Sequence, residues 1–198
     1  MSSRGSVRAI REAKARGLAV TAEVTPHHLA LTDEDVGASG YSTDFKMNPP
    51  LRSADDVQAC REGLADGTLD AIATDHAPHS AVEKDVEFDA AANGITGLET
   101  AFPVCLSLVR AGALTERRLV EALTIGPARA FGLAGGTLAA GVAADVAMLD
   151  PATEWTLDPA RMYSKSRNTP WKGKRLAGRC VMTIVGGRIV HGEGRTDR

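Results

Sequence analysis

The sequence has 198 residues, enough for one sizeable domain with its own core. Hydrophobic residues make up 43% and charged residues 24%, with a formal net charge of -2, so the composition indicates neither a nucleic-acid nor a membrane partner. The three cysteines are far apart and form no CxxC pair, which argues against a cysteine zinc site or a disulfide framework. The start of the chain lacks the apolar core of a signal peptide, so we expect a cytoplasmic protein.

The first part of the chain alternates predicted helices and strands. Capping serines, closing glycines and apolar runs mark the element ends. The predicted elements are, in order, a helix opened by Ser6 and running to Ala15, a strand over 18–24, a helix over 53–65, a strand over 69–74 and helices over 97–111 and 115–123. Because helices and strands alternate, this order predicts parallel strands covered by helices.

The character of the sequence changes near Phe131. Glycines punctuate the chain beyond this point, and short β-like runs follow at 144–149, 180–185 and 188–191. Gly186-Gly187 between the last two runs predicts a hairpin turn. We interpret residues 1–131 as an α/β part and residues 132–198 as a small β-rich part.

Polar residues follow both predicted strands of the α/β part. TPHH follows the first strand, and DHAPH, which contains Asp75 and His79, follows the second. Catalytic groups collect at the carboxyl ends of strands in α/β barrels. Asp75 could bind a divalent cation and move a proton to or from metal-bound water, and His79 could contact an anionic substrate. The alternative is that these residues serve only as turn or capping groups.

The remaining histidines are weaker candidates. His27 and His28 are adjacent, so in an extended loop they would point to opposite sides and could not both face one metal. We expect at least one of them to be structural. His76 is expected to be a packing group and His191 a surface residue.

Two further loops carry candidate ligand contacts. Two prolines stiffen KMNPPLR, and Asn48 before them has an amide that can both donate and accept hydrogen bonds. Asn93-Gly94 forms a glycine-containing turn that could present backbone groups to a ligand. The alternatives are a rigid connector for the first loop and a simple helix start for the second.

Four stretches together resemble the carboxy-terminal portion of bacterial dihydroorotases: EVTPHHL, KMNPPLR, IATDHAPH and NTPWKGKRLAGRC. The resemblance continues through TIGPARAFGL and ADVAMLD, and so covers nearly the whole chain. DHAPH is shared with related cyclic amidases, whereas KMNPPLR ahead of it favours dihydroorotase. The implied fold is α/β: the last strands and helices of a metal-dependent-hydrolase (β/α)8 TIM-like barrel in 1–131, with strands of a small β-sandwich in 132–198.

The resemblance also implies an activity and roles for named residues. Dihydroorotases are zinc amidohydrolases that interconvert N-carbamoyl-L-aspartate and L-dihydroorotate in pyrimidine biosynthesis. By motif, Asp75 is the residue that contacts zinc and transfers the proton between the hydrolytic water and the amide nitrogen. Asn48 and His79 correspond to substrate contacts. Asn93 and Gly94 fall where the family often has a Phe-Gly pair that lines the pocket, so Asn93 departs from the pattern.

Most metal ligands implied by the family are absent from this sequence. The HxH pair of the first strand, the bridging carboxylate or carboxylated lysine and the histidine of the fifth strand have no counterpart. The histidine of the sixth strand would come immediately before Met1. We therefore expect a truncated chain in which Met1 stands where the family has Val, as a GTG codon read as a start would produce. Alone, such a chain is expected to bind zinc weakly, to be inactive and to associate through its open strand edges.

Three alternatives stay open from the sequence. The chain could belong to a related cyclic amidase, such as an allantoinase or a hydantoinase. It could instead be a non-catalytic dihydroorotase-like subunit that scaffolds aspartate transcarbamoylase. A separate chain could also supply the missing half. For a dihydroorotase or a related cyclic amidase, the expected ligand is a small-molecule substrate. The chain could also form a homo-oligomer.

Overall fold

The computed structural model describes residues 1–192 of the chain. The α-helices are α1 (Arg4–Ala15), α2 (Pro26–Ala30), α3 (Asp33–Ala38), α4 (Ala54–Ala65), α5 (Ala81–Lys84), α6 (Ala101–Arg110), α7 (Glu116–Leu123) and α8 (Ile125–Phe131). The strands are β1 (Glu23–Val24), β2 (Ala71–Ile72), β3 (Val146–Thr156), β4 (Arg175–Val185) and β5 (Arg188–His191). Short 3-10 turns occupy Thr43–Phe45 and Pro159–Arg161.

The helices that begin at capping residues lie close to their predicted positions. Ser53 and Thr115 cap α4 and α7, each accepting a hydrogen bond from a backbone N–H of the first turn. The predicted cap of α1 is wrong by three residues. Ser3 caps this helix, and Ser6 pairs with it in a reciprocal capping box that satisfies two backbone donors.

The two strands of the α/β part pair in parallel, as predicted. Val24 lies opposite Ile72, and backbone hydrogen bonds at both ends extend the ladder. Each strand has only two residues in this ladder, which is much shorter than the predicted 18–24 and 69–74. Among residues 1–192, β1 and β2 have no other strand beside them, so the flanking extended segments remain outside a sheet.

Helices cover this pair of strands and form the main apolar core. The fully buried side chains include Val24 of β1, Leu69 before β2, Cys60 of α4 and Cys105 of α6. Burial raises the pKa of the Cys105 thiol to about 12, so this cysteine acts as a packing group. The core and the parallel pairing confirm an α/β organisation for this part of the chain.

The second sheet is antiparallel, in the order β3-β4-β5. The Gly186-Gly187 turn joins β4 to β5, which confirms the predicted hairpin. Gly178 allows β4 to lie against α6, because a Cβ atom there would come within 2.8 Å of the Phe102 ring. A complete β-sandwich and a domain boundary after residue 131 stay predictions.

No helix within residues 1–192 is long and apolar enough to cross a membrane. The longest α-helices in this part of the chain, α1 and α4, have 12 residues each.

Gly126 provides a test of how α8 packs against the strands. A Cβ atom at this position would overlap the carbonyl oxygen of Asp70, which directly precedes β2, and would come within 2.9 Å of the Glu121 carbonyl oxygen. We expect Gly126→Ala to lower the free energy of unfolding by about 1–3 kcal/mol, because backbone must shift to relieve this overlap. Thermal unfolding measures the change.

Gly5 supplies the matched control. It lies in α1, and a Cβ atom there would meet nothing within 4 Å. Because alanine favours helix over glycine by about 0.5–1 kcal/mol, Gly5→Ala should keep or raise the melting temperature. Equal melting temperatures for both variants would contradict the packing of α8 described above.

Candidate active site at the carboxyl ends of β1 and β2

The loops that follow β1 and β2 lie at the same edge, because the two strands are parallel. A cavity of about 270 Å³ lies at this edge. Its lining residues are Met1, Glu23, Thr25, His28, Pro49, Ala73 and Asp75. We call it the Asp75 cavity. It brings together the predicted TPHH, KMNPPLR and DHAPH loops.

Asp75 has an unusual backbone conformation. Its φ angle is 46°, in the left-handed region that aspartate and asparagine tolerate better than most other residues. The side chain is exposed, and its carboxylate has no protein hydrogen bond within the described residues. Strained conformations of this kind cluster at functional sites. The carboxylate is therefore free to contact a ligand or to exchange a proton.

The prediction that TPHH forms an extended loop is wrong. Thr25 caps α2 and Pro26 occupies its first turn, so both His27 and His28 lie on a helix, and both are buried. Their ring centroids are 4.5 Å apart. A threonine cap followed by proline is a helix-start signal, and this signal was present in the sequence.

His28 connects two loops of the cavity. Its Nε2 atom lies 3.0 Å from the Pro49 carbonyl oxygen, and its Nδ1 atom lies 2.8 Å from the Thr25 hydroxyl. Burial lowers the pKa of His28, which favours the neutral ring. In that state Nε2–H donates to Pro49, and Nδ1 accepts from Thr25. His28 thus positions the loop that carries Asn48, a role that the sequence analysis did not identify.

Asn48 projects from a loop that is anchored on both sides. Met47 and Leu51 are buried in a small second core, whereas Asn48 and Pro49 are exposed between them. The Asn48-Pro49 peptide bond is cis. Asn48 does not itself line the Asp75 cavity, but it is exposed and directly precedes Pro49, which does.

His79 lines a different cavity, of about 470 Å³. The lining residues of this second cavity, the His79 cavity, are Thr43, Asp44, His79, Ser80, Ala81, Lys84, Asp85, Lys165, Ser166, Arg167, Asn168 and Lys172. The structure thus does not place His79 and Asp75 in one cavity. His79 does meet the predicted Asn93-Gly94 turn, because its Nε2 atom lies 2.9 Å from the Asn93 carbonyl oxygen.

The other two histidines have structural contacts. The Nδ1 atom of His76 accepts hydrogen bonds from the backbone N–H groups of Gly97 and Leu98, at 3.0 and 3.3 Å. This contact fixes the segment that precedes α6. His191 is half-buried on β5, with its Nδ1 atom 3.4 Å from the Tyr163 hydroxyl. Neither contact involves the Asp75 cavity.

The described residues do not form a complete metal centre. Within residues 1–192, no group of three or more histidine, cysteine, aspartate or glutamate side chains is arranged to hold a metal ion. Both ring nitrogens of His28 are already engaged by protein groups. Asp75 could therefore offer one oxygen ligand, but the zinc site implied by the sequence resemblance needs further ligands.

The sequence model of the Amidohydrolase family matches residues 1–190. The chain therefore belongs to the amidohydrolase family, in agreement with strands whose carboxyl ends carry the candidate site. It is 84% identical over all 198 residues to the dihydroorotase of Anaeromyxobacter sp. (strain K), and 54% identical over 191 residues to that of Pelobacter propionicus. The chain covers 46% and 45% of these two proteins, so it spans about half the length of the curated relatives it matches.

Solved structures of hydantoinases (dihydropyrimidinases) share the fold. The L-hydantoinase (dihydropyrimidinase) from Arthrobacter aurescens superposes with a TM-score of 0.88 at 31% identity, over the whole of this chain and 45% of that protein. The D-hydantoinase from Thermus sp. gives a TM-score of 0.89 at 26% identity, again over the whole chain and over 44% of that protein. The curated relatives confirm the resemblance to dihydroorotase, and the solved structures show an amidohydrolase fold of the hydantoinase and dihydropyrimidinase type.

His27 makes the stability of the chain pH-dependent. Burial, followed by the nearby His28 ring, lowers the pKa of His27 from 6.5 to about 3. Between these values the unfolded chain binds more protons at this position than the folded chain. The free energy of unfolding should therefore be highest above pH 6.5 and fall as the pH drops towards 3, by up to about 1.4 kcal/mol per pH unit from this residue.

We expect His27→Gln to flatten this dependence between pH 4 and 6.5, as measured by urea unfolding at a series of pH values. Leu29→Ala is the matched control, because Leu29 is equally buried on α2 but carries no titratable group. It should lower stability by a similar amount at every pH. If the free energy of unfolding of the His27→Gln variant varied with pH as steeply as in the wild type, His27 would not be the source of this dependence.

Proposed function

We propose that this chain is the carboxy-terminal part of a dihydroorotase, which interconverts N-carbamoyl-L-aspartate and L-dihydroorotate in pyrimidine biosynthesis. The observation that carries the proposal is the 84% identity to a curated dihydroorotase along all 198 residues. The loops of both cavities lie within this matched region. A zinc cofactor, a β-sandwich, a cytoplasmic location and association with itself or with aspartate transcarbamoylase belong to the same proposal.

Asp75 is proposed to be the proton-transfer group. Its exposed carboxylate has no protein partner within residues 1–192, and the left-handed turn holds it at the carboxyl end of β2. A carboxylate in this state can accept a proton from the hydrolytic water and return it to the amide nitrogen of the opening ring. A residue already engaged in an ion pair would be less suited to this role.

Asn48, His79 and the Asn93-Gly94 turn are proposed to contact the substrate. The Asn48 amide can donate to a carboxylate and accept from a ring N–H. Gly94 has a φ angle of 105°, and a Cβ atom there would come within 2.6 Å of the Ala77 Cβ atom. Only glycine fits this close approach, so the Gly94 backbone can face a ligand without an intervening side chain.

The zinc centre is proposed to be shared with the part of the enzyme that this chain does not span. Asp75 suits one oxygen position, and the described residues provide no complete ligand set. Since the chain covers 46% of its Anaeromyxobacter relative, we assign the remaining ligands to the other part of the protein.

A hydantoinase-type activity is the second candidate. Its support is the 31% identity and the TM-score of 0.88 to the L-hydantoinase from Arthrobacter aurescens. The identity to dihydroorotase is far higher, so we favour dihydroorotate over hydantoins as the substrate.

The test uses a reconstituted enzyme, in which the remaining part of the Anaeromyxobacter relative is joined to residues 1–198 of this chain. We expect it to hydrolyse dihydroorotate much faster than hydantoin or allantoin. Asp75→Asn should reduce kcat by about 10²–10⁴-fold, because asparagine keeps the left-handed backbone but cannot carry the proton. Spectrophotometric assays of ring opening measure both effects.

Asp33→Asn is the control for this experiment. Asp33 is an exposed carboxylate on α3 and lines neither cavity, so its replacement should leave kcat unchanged. Preferential turnover of hydantoin would favour the second candidate. Full activity in Asp75→Asn would remove Asp75 from the proposed mechanism.

The isolated chain of 198 residues should behave differently from the reconstituted enzyme. We expect it to bind much less than one equivalent of zinc and to show no turnover of dihydroorotate, since its described residues lack a complete ligand set. Equilibrium dialysis with elemental analysis measures the bound zinc, and the reconstituted enzyme serves as the positive control. If the isolated chain bound one or more equivalents of zinc and turned over dihydroorotate, the prediction of an incomplete metal site would be wrong.

A further inference from the structure

Asn168 links two loops of the candidate site. It belongs to the NTPW stretch, is 4% exposed and lies far from these loops in the sequence. Its Nδ2 atom donates to the carbonyl oxygens of Ala77 and Gly94, at 2.9 and 3.1 Å. Its Oδ1 atom accepts from the backbone N–H of His79, at 3.2 Å. A single buried amide thus connects the DHAPH loop to the Asn93-Gly94 turn.

The chemistry of the partners fixes the orientation of this amide. Two carbonyl oxygens face one side-chain atom, and one N–H group faces the other. Only the orientation with Nδ2 towards Ala77 and Gly94 satisfies all three contacts. The main chain of Asn168 is held as well, because its carbonyl oxygen accepts from the N–H group and the hydroxyl of buried Thr96.

Lys84 reinforces the same turn from the other side. It is 7% exposed, and its Nζ atom donates to the carbonyl oxygens of Ala92 and Gly94, at 2.9 and 3.1 Å. The Gly94 carbonyl oxygen therefore receives hydrogen bonds from both Lys84 and Asn168. The Gly94 N–H group donates to the carbonyl oxygen of Lys46, two residues before Asn48. The turn is thus tied to every loop that carries a proposed substrate contact.

We propose that Asn168 is a positioning residue that fixes the separation between His79 and Gly94 for substrate binding. This inference rests on the proposed function, because it assigns a role in binding the same substrate. The two segments also contact each other directly, because the Ala77 N–H group donates to the Ile95 carbonyl oxygen at 2.8 Å and His79 Nε2 lies 2.9 Å from the Asn93 carbonyl oxygen. The buried amide adds three hydrogen bonds to these contacts and so fixes the backbone around His79 and Gly94. Displacing the groups that position a substrate by about 1 Å can reduce the catalytic rate by about 100-fold. Asn168 acts through the loops and does not itself react.

The first test is Asn168→Asp in the reconstituted enzyme. Aspartate keeps the size of the side chain and the acceptor for the His79 N–H group, but it places a carboxylate oxygen against two carbonyl oxygens. We expect the KM for dihydroorotate to rise about 10- to 100-fold through displaced loops. The kcat should change by about threefold or less, because Asp75 has no contact with Asn168 and proton transfer is retained.

Lys84→Met is the second variant, and it remains informative if Asn168→Asp fails to fold. Methionine keeps an apolar stem of similar length but removes one of the two donors to the Gly94 carbonyl oxygen. It leaves the Asn168 bond to His79 in place. We expect a rise in KM of about 3- to 10-fold, again with little change in kcat, since one of the two hydrogen bonds to this oxygen is retained.

Arg118→Leu is the matched control. The Arg118 guanidinium also donates to backbone carbonyl oxygens, those of Leu64 in the last turn of α4 and of Leu69 just before β2, at 2.7 and 2.6 Å. These contacts lie at the amino-terminal end of β2, opposite the candidate site. The variant should lower the melting temperature but leave the KM for dihydroorotate unchanged.

The outcomes separate the two proposals. A reconstituted wild-type enzyme without dihydroorotase activity would overturn the proposed function, and the role of Asn168 with it. An active wild-type enzyme with KM values at the control level in the foldable variants would overturn the positioning role alone. A raised KM in Asn168→Asp or Lys84→Met, absent in Arg118→Leu, would support it.

Discussion

The parallel pairing of β1 and β2 is the constraint on which the candidate site depends. With Val24 opposite Ile72, Thr25 and Ala73 leave the ladder side by side, and Asp75 follows two residues later. A shift of one residue would exchange the buried and exposed faces of one strand and move its loop away from the other. Parallel strands also require a long connection between them, and α4 within this connection covers the pair and buries Cys60.

Polar side chains hold the loops beyond these strands. His28 donates to Pro49, His79 to Asn93, and Asn168 to Ala77, with a backbone carbonyl oxygen as the acceptor in each case. Irregular loops leave such carbonyl groups without a partner in regular structure, and leaving them buried and unpaired is costly. The same hydrogen bonds therefore satisfy the loops and define their shape, which is how short segments with little apolar core of their own can be positioned.

The sequence predicted features that depend on neighbouring residues and missed those that depend on distant ones. The helices that start near Ser53 and Thr115, and the hairpin turn at Gly186-Gly187, follow from local signals, and the structure confirms them. The short extent of β1 depends on which strands lie beside it, and no local pattern encodes that. The contact between Asn168 and Ala77 joins residues 91 positions apart, so no periodicity could reveal it. The α2 helix is the exception, since Thr25-Pro26 did carry a local signal.

The side chains around the two cavities differ in whether their partners lie within residues 1–192. The partners of His28, His79 and Asn168 all lie in this chain, so the loops proposed to contact substrate are already held in place. Asp75, by contrast, extends an unpaired carboxylate into its cavity from a left-handed backbone position. An unpaired carboxylate in a strained turn adds little to the stability of the fold. Such a carboxylate is better suited to contacting a substrate and a metal. On the proposed function, substrate positioning and metal binding are thus divided between this chain and the part of the enzyme that it does not span.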